Sequence, residues 1–246
     1  MSNSRLSPVT IFPQTDISAL CHKTDCILWD AYRQGTVSGS NRLIFPKLRD
    51  GNRRISEQEA RFAFVEALHT TSLKYSIETP TDKEYSFSNN GSRSAMTDLS
   101  IYHQQGKNVC NVEFKSKGKS AKANDLKPIR KDLEKLFREK TWGLWFHVLE
   151  SVNSKTLSNL LEVLTKQSCC VRGLKPDIES YGLTIHICVL KHGFSVQKNL
   201  PIDFSPAEMR IGLSVSGNSL KSVSDPNGWQ LHEEVDCSHS DGYHAE

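Results

Sequence analysis

The chain has 246 residues, of which 37% are hydrophobic, and a formal net charge of +3. This length is enough for one generous domain, or for one domain with an extension, around a sizeable core. The mean hydropathy is −0.47, and there is no run of about eighteen apolar residues and no basic-then-apolar leader, so we expect neither a membrane span nor a signal peptide. The net charge is too small to identify a nucleic-acid-binding protein by itself.

The seven cysteines are scattered along the chain. None of them stands in the paired C-x-x-C arrangement of a structural zinc site, and Cys21 and Cys26 flank His22 at a spacing that fits no zinc pattern. We therefore interpret the cysteines as reduced thiols of a cytoplasmic protein.

In chain order, the first predicted element is a helix from Asp16 to Gln34, because apolar residues recur there at helical intervals. Thr15 or Asp16 is the N-cap candidate, and Gly35 is expected to end the helix. This helix either covers an edge of a sheet or pairs with another subunit, which leaves a homodimer open.

A second helix is predicted from Ser56 to about His69, since Ser56 and Glu59 have the spacing of a capping box. A strand follows from Leu73 to Thr79, and Pro80 is expected to stop it. The next segment, 87–94, is rich in Gly, Asn and Ser and is predicted to be a connection.

A β-hairpin is predicted next, with one strand from Asp98 to Tyr102 and the other from Val109 to Lys115. The polar turn between them holds the Gly and Asn that such turns need. Side chains alternate between the two faces of a strand, so Glu113 and Lys115 share one face. If the strands pair, Asp98 lies near Glu113, and the two carboxylates repel each other unless a divalent cation sits between them.

Four regular elements are predicted after the hairpin: a helix from Asn124 or Asp125 to about Lys140, a strand from Gly143 to Leu149, a helix from Thr156 to Lys166 and a strand from Gly182 to Leu190. His147 and His186 lie within these strands, and we interpret both as hydrogen-bonded core histidines. Residues 211–215 form a possible short edge strand, and residues 222–246 are expected to be a flexible tail.

The spacing of Asp98 from Glu113-Phe114-Lys115 resembles the Asp…(Asp/Glu)-x-Lys signature of the restriction-endonuclease-like, or PD-(D/E)xK, nuclease superfamily. Thr97 stands where the superfamily usually has Pro. The predicted element order also agrees with an αβββαβ core over roughly residues 55–150. The fold class expected is therefore α/β, with a restriction-endonuclease-like αβββαβ core, a mixed central sheet flanked by helices, and an N-terminal helical addition.

The resemblance implies a metal site for Mg²⁺, with Mn²⁺ as a substitute. Asp98, Glu113 and the backbone carbonyl of Phe114 are the implied ligands. The first core helix of the superfamily often adds an acid, for which both Glu57 and Glu59 remain candidates, although the capping box alone is enough to explain Glu59.

Two further sets of basic residues are candidates, the first from the same resemblance and the second from the distribution of positive charge around the hairpin. Lys115 is expected to orient or activate the attacking water, and Lys131 of the next helix occupies about the place of a lysine that assists the metal site. A rim of basic side chains is expected to contact phosphates, namely Arg93, Lys117, Lys119 and Lys122. Solvated surface charges are the alternative interpretation for Lys131 and for this rim.

We expect an N-terminal extension over residues 1–54, a nuclease-like core over 55–204 and a C-terminal extension over 205–246. The expected function is metal-dependent hydrolysis of phosphodiester bonds in nucleic acid, with DNA as the first-choice substrate and no membrane partner. One alternative is a catalytically silent protein of this fold that binds nucleic acid or a partner protein. The other is a structural protein in which the acids of the motif are accidental and lie on opposite faces.

Overall fold

A computed structural model describes residues 14–34, 42–51, 53–87, 91–117, 126–172, 181–201 and 230–234. This part of the chain contains four α-helices: α1 (Gln14–Gln34), α2 (Glu57–Leu68), α3 (Leu126–Arg138) and α4 (Ser154–Arg172). It also contains seven β-strands: β1 (Lys74–Phe87), β2 (Gly91–Tyr102), β3 (Asn108–Lys117), β4 (Trp142–Leu149), β5 (Gly182–Val189), β6 (Phe194–Pro201) and β7 (Gln230–Glu233).

The strands form one mixed sheet in the order β1-β2-β3-β4-β5-β6-β7. The first three strands are an antiparallel meander, and β3, β4 and β5 run parallel to one another. Parallel neighbours need a crossover connection, which α3 and α4 supply. The last two strands pair antiparallel. Every residue of β4 and β5 is buried, as expected for central strands covered on both faces.

Helices cover both faces of the sheet, and the alternation of side chains along β4 shows which face each helix covers. Phe146 belongs to a hydrophobic cluster with residues of α1 and α2, whereas Trp145 belongs to a second cluster with residues of α3 and α4. The helix α1 is therefore part of the core and packs on a face of the sheet. Its Trp29 indole N–H donates a hydrogen bond to the backbone oxygen of Val189 on β5, at 3.3 Å.

The predicted hairpin is confirmed. β2 pairs with β3 from Leu99 opposite Val112 to the turn, and Gly106 within that turn has a φ of +81°. The predicted α2 begins with the capping box of Ser56 and Glu59. The other predicted helices and the strands at β4 and β5 are present within a few residues of their expected ends, although α4 is longer at both.

The prediction that Pro80 stops the first strand is wrong, because β1 continues to Phe87. Proline is tolerated on edge strands and at bulges; β1 is the edge strand, and its register shifts between Pro80 and Glu84. The side chain of Glu139, buried after α3, accepts hydrogen bonds from the backbone N–H groups of Asp82 (2.9 Å) and Lys83 (3.1 Å) in this irregular stretch. A tertiary contact thus stabilises a strand that the local sequence interrupts.

The C-terminal expectation is also wrong in part, because Gln230–Glu233 forms β7 on β6. The expected short strand at 211–215 lies outside the described residues. His186 is a buried, hydrogen-bonded core histidine as predicted, with Asp25 at 2.9 Å and Gln197 at 3.1 Å.

Among the residues that the structure describes, Cys21, Cys110 and Cys188 are free and buried. Cys26 is disulfide-bonded, so the expectation of reduced thiols is wrong at that position. Across the part of the chain that the structure describes, no helix combines the length and the apolar character needed to cross a membrane.

The substitution Glu139→Gln tests whether the Glu139 carboxylate stabilises the irregular stretch of the edge strand β1. We expect it to lower the free energy of unfolding by about 1–3 kcal/mol, because the partly buried backbone N–H groups of Asp82 and Lys83 lose a charged acceptor. Denaturant unfolding measures the change, and Glu66→Gln, at an exposed position of α2, is the matched control. Equal stability of the two variants would contradict this role.

Candidate active site

The site lies where β2 separates from β3. The last pair of the two strands is Leu99 with Val112, so the next residues along this register, Asp98 and Glu113, stand opposite each other and on the same face. Beyond this point the backbone N–H of Phe114 donates a hydrogen bond to the side chain of Asp98, with 2.8 Å between the nitrogen and Oδ2. Asp98 and Glu113 therefore lie on the same face of the sheet, and not on opposite faces as an accidental motif would place them.

Glu113 is the most buried acid of the site, with 1% of its side chain exposed. Its Oε1 lies 2.6 Å from Nζ of Lys135, and its Oε2 lies 4.0 Å from Nζ of Lys115. Burial raises the pKa of Glu113 to about 8 although Lys135 acts to lower it, and the neighbouring Asp98 and Asp132 add to the rise. A negative charge at this position is therefore costly without a cation beside it.

Lys115 is held among acids. Its Nζ lies 3.0 Å from Asp132 Oδ2 and 3.9 Å from Glu57 Oε1, and the ring of Trp145 is 5.9 Å away. Burial acts to lower the pKa of Lys115, but the charges of Asp132, Glu113 and Glu57 outweigh it, so the pKa is raised. The side chain is a fixed ammonium ion beside Glu113.

The structure distinguishes between Glu57 and Glu59, the two acids of α2 that remained candidates for the site after the sequence analysis. Glu57 reaches the site through Lys115, and burial raises its pKa. Glu59 instead accepts the backbone N–H of Ser56 at 2.9 Å and lies 3.3 Å from Arg54. An acid at the third helical position reaches back to the N-cap, so Glu59 belongs to the helix start and is not among the residues that converge on Glu113.

The structure does not bring Lys131 to the site, although two other residues of α3 reach it. Lys131 is exposed, whereas Asp132 and Lys135 both contact the site. Lys131 lies about 6 Å nearer the start of the helix than Lys135, because four residues rise by one turn. The i, i+3 spacing of Asp132 and Lys135, beside the apolar stripe of α3, was the signal available in the sequence.

Arg61 is a third site residue that the sequence analysis missed. It lies on the inner side of α2, buried, with Nη2 3.4 Å from Asp98 Oδ1 and Nη1 3.7 Å from Glu78 Oε1. Asp98 is therefore held from two sides, by a guanidinium group and by the backbone N–H of Phe114.

Of the predicted phosphate-contacting rim, only Arg93 has a side chain that the structure describes. Arg93 is exposed within β2, and not in a connection as expected. It precedes Asp98 by five residues, or about 16 Å along an extended strand. The side chains of Lys117, Lys119 and Lys122 lie outside what the structure describes. Phe114 directs its ring into the core on the opposite face, so only its backbone belongs to the site.

Seven charged side chains thus form one group, named here the charged cluster: Glu57, Arg61, Asp98, Glu113, Lys115, Asp132 and Lys135. Four are acids and three are cations, so the formal charge is −1. Among the described residues, no three acid, histidine or cysteine side chains are grouped as a ready-made metal site.

The oxygen atoms around Lys135 test whether the cluster suits Mg²⁺. Its ammonium group lies within 3.2 Å of three oxygens, from Glu113, Asp132 and the backbone of Met96. Carboxylate and carbonyl oxygens are the atoms that coordinate Mg²⁺ in proteins. The ammonium group of Lys135 lies among three such oxygens. The three oxygens are therefore of the chemical kind that a divalent cation binds, and the ammonium group of Lys135 occupies the position between them.

Comparisons with protein-family models, with curated proteins and with solved structures found no match to this chain. The chemistry of the charged cluster is therefore the basis for a functional assignment.

The raised pKa of Glu113 predicts how stability depends on pH in the absence of divalent cations. Its pKa is about 8 in the folded chain, against 4.5 for a free glutamate side chain. Between these pH values the folded state binds more protons, so the free energy of unfolding falls as the pH rises, by on the order of a few kcal/mol. We expect this fall to disappear in Glu113→Gln and to persist in Glu66→Gln, as measured by denaturant unfolding between these limits. A profile that is the same in both variants would be inconsistent with a proton-binding Glu113.

Proposed function

We propose that this chain is a metal-dependent nuclease of the restriction-endonuclease-like fold, which hydrolyses phosphodiester bonds in nucleic acid, with DNA as the preferred substrate. The observation that carries the proposal is the convergence of Asp98 and Glu113 from neighbouring strands beside the fixed ammonium of Lys115. The succession of α2, the β1-β2-β3 meander, α3 and the parallel strand β4 supports the αβββαβ core.

In this proposal Asp98 and Glu113 hold Mg²⁺ or Mn²⁺, with Glu57 and the carbonyl of Phe114 as further ligands. A bound divalent cation supplies Lewis acidity toward a phosphoryl oxygen and lowers the pKa of water. The hydrogen bond from the N–H of Phe114 and the contact with Arg61 fix the orientation of the Asp98 carboxylate before any ligand binds. Such preorganisation lowers the cost of assembling the site during the reaction.

Lys115 carries the chemistry that does not depend on a bound cation. Asp132 holds its ammonium at 3.0 Å, and Trp145 lies on one side of it. In that position it donates a hydrogen bond to the attacking water and neutralises the charge that develops on the phosphate. A positive group that acts on developing charge stabilises the transition state more than the bound substrate.

The substitution Lys115→Gln should therefore lower the rate of cleavage by about 100-fold or more while changing the affinity for nucleic acid by less than about threefold. Asp98→Asn should abolish detectable cleavage. Plasmid and oligonucleotide cleavage with Mg²⁺ and Mn²⁺ measures the rate, and fluorescence anisotropy measures binding. Lys131→Gln removes the same charge from an exposed position and should leave both quantities unchanged. A folded wild-type protein that cleaves nothing at any metal concentration would remove the enzymatic proposal.

A catalytically silent protein of the same fold is the second candidate, and one observation favours it. Each acid of the charged cluster already lies near a cation of the chain, so the cluster is formally balanced to within one charge without a ligand. This candidate predicts salt-dependent binding of nucleic acid, or binding of a partner protein, that Asp98→Asn leaves unchanged, with no cleavage by the wild type.

A further inference from the structure

The position of Lys135 is unusual for a lysine on a helix surface. Only 14% of its side chain is exposed. Its ammonium group lies 2.6 Å from Glu113 Oε1 and 3.2 Å from Asp132 Oδ1, and it donates a hydrogen bond to the backbone oxygen of Met96 at 3.0 Å. Oxygens from β3, α3 and β2 thus surround a single positive charge, as ligands surround a cation.

A divalent cation that binds Glu113 while Lys135 remains in contact would share the carboxylate with two lysines. Its Oε1 is engaged by Lys135, and its Oε2 has Lys115 at 4.0 Å. A divalent cation on this carboxylate would stand a few ångströms from the Lys135 ammonium, in a place from which most water is excluded. Like charges at that separation repel strongly where the dielectric constant is low.

Asp132 can pair with the ammonium group of Lys135 when that group leaves Glu113. It lies on the same helix, three residues earlier, and already contacts the ammonium. The lysine side chain has several rotatable bonds and three donors. It can therefore keep the contact with Asp132 while it leaves Glu113.

We propose that Lys135 is a built-in counter-ion for Glu113, which competes with a divalent cation for this carboxylate and moves toward Asp132 when the cation binds. This inference rests on the proposed function, because it takes Glu113 as a metal ligand. It goes beyond that function by making the metal affinity of the site depend on a lysine that does not take part in the reaction. The charged cluster then folds without metal, and a divalent cation binds only by displacing a contact that the chain already makes.

The test measures Mn²⁺ binding by calorimetry and by the electron paramagnetic resonance signal of free Mn²⁺. The proteins are the wild type, Lys135→Gln and the matched control Lys131→Gln, which removes the same charge from an exposed position one turn earlier on α3. Titrations of all three proteins are run at the same pH and ionic strength, so that the charge removed from α3 is the only difference between them. We expect Lys135→Gln to bind Mn²⁺ about tenfold or more tightly than the wild type and Lys131→Gln to match the wild type.

A second measurement does not need Lys135→Gln, in case that variant does not fold. Nitrogen-15 NMR of lysine ammonium groups, with the Lys135 signal assigned by its loss in Lys135→Arg, should show that signal shift as Mg²⁺ is added. The signal of Lys131 should not move.

The outcomes separate this inference from the proposed function. Wild-type binding of Mn²⁺ that Lys135→Gln leaves unchanged or weakens overturns the counter-ion role while the nuclease proposal stands. An unchanged Lys135 signal at saturating Mg²⁺ does the same. If neither the wild type nor folded Lys135→Gln binds Mn²⁺ at millimolar concentration, the metal-dependent function itself is lost, and the inference with it.

Discussion

Glu113 is a carboxylate with 1% of its side chain exposed, on a strand whose neighbouring residues Val112 and Phe114 fill the hydrophobic core. A buried charge is tolerated only when it is paired and hydrogen-bonded. The two lysines beside it, Lys115 and Lys135, meet that requirement, and the acids that hold those lysines extend the pairing into the charged cluster. The strands and helices around Glu113 thus supply the charged partners that offset the cost of burying its carboxylate.

The fold supplies these partners by placing helices on both faces of the sheet at the point where β2 leaves β3. Asp132 and Lys135 reach the site from α3, on the face that Glu113 and Trp145 share. Arg61 and Glu57 reach it from the start of α2. A nuclease and a catalytically silent binding protein would both contain the charged cluster. They differ in whether a divalent cation can replace the lysines beside Glu113.

Several elements were predictable because the interactions that form them are local. The hairpin that pairs Leu99 with Val112 needs only alternating residues around a polar turn, and the start of α2 needs only Ser56 and Glu59. For the same reason the sequence placed Asp98 and Glu113 side by side. The continuation of β1 past Pro80 was not predictable, since the carboxylate that supports it belongs to a residue more than fifty positions later.

The sequence by itself therefore determined which strands carry the acids of the site, the alternation that puts Glu113 and Lys115 on one face, and the helices that flank them. The tertiary structure decided which side chain of each helix arrives there: Glu57 in place of Glu59, and Lys135 in place of Lys131. Helical periodicity fixes the direction of a side chain around its own axis. The distance and angle at which that axis crosses the sheet depend on the packing of the two hydrophobic clusters, which are built from residues far apart in the chain.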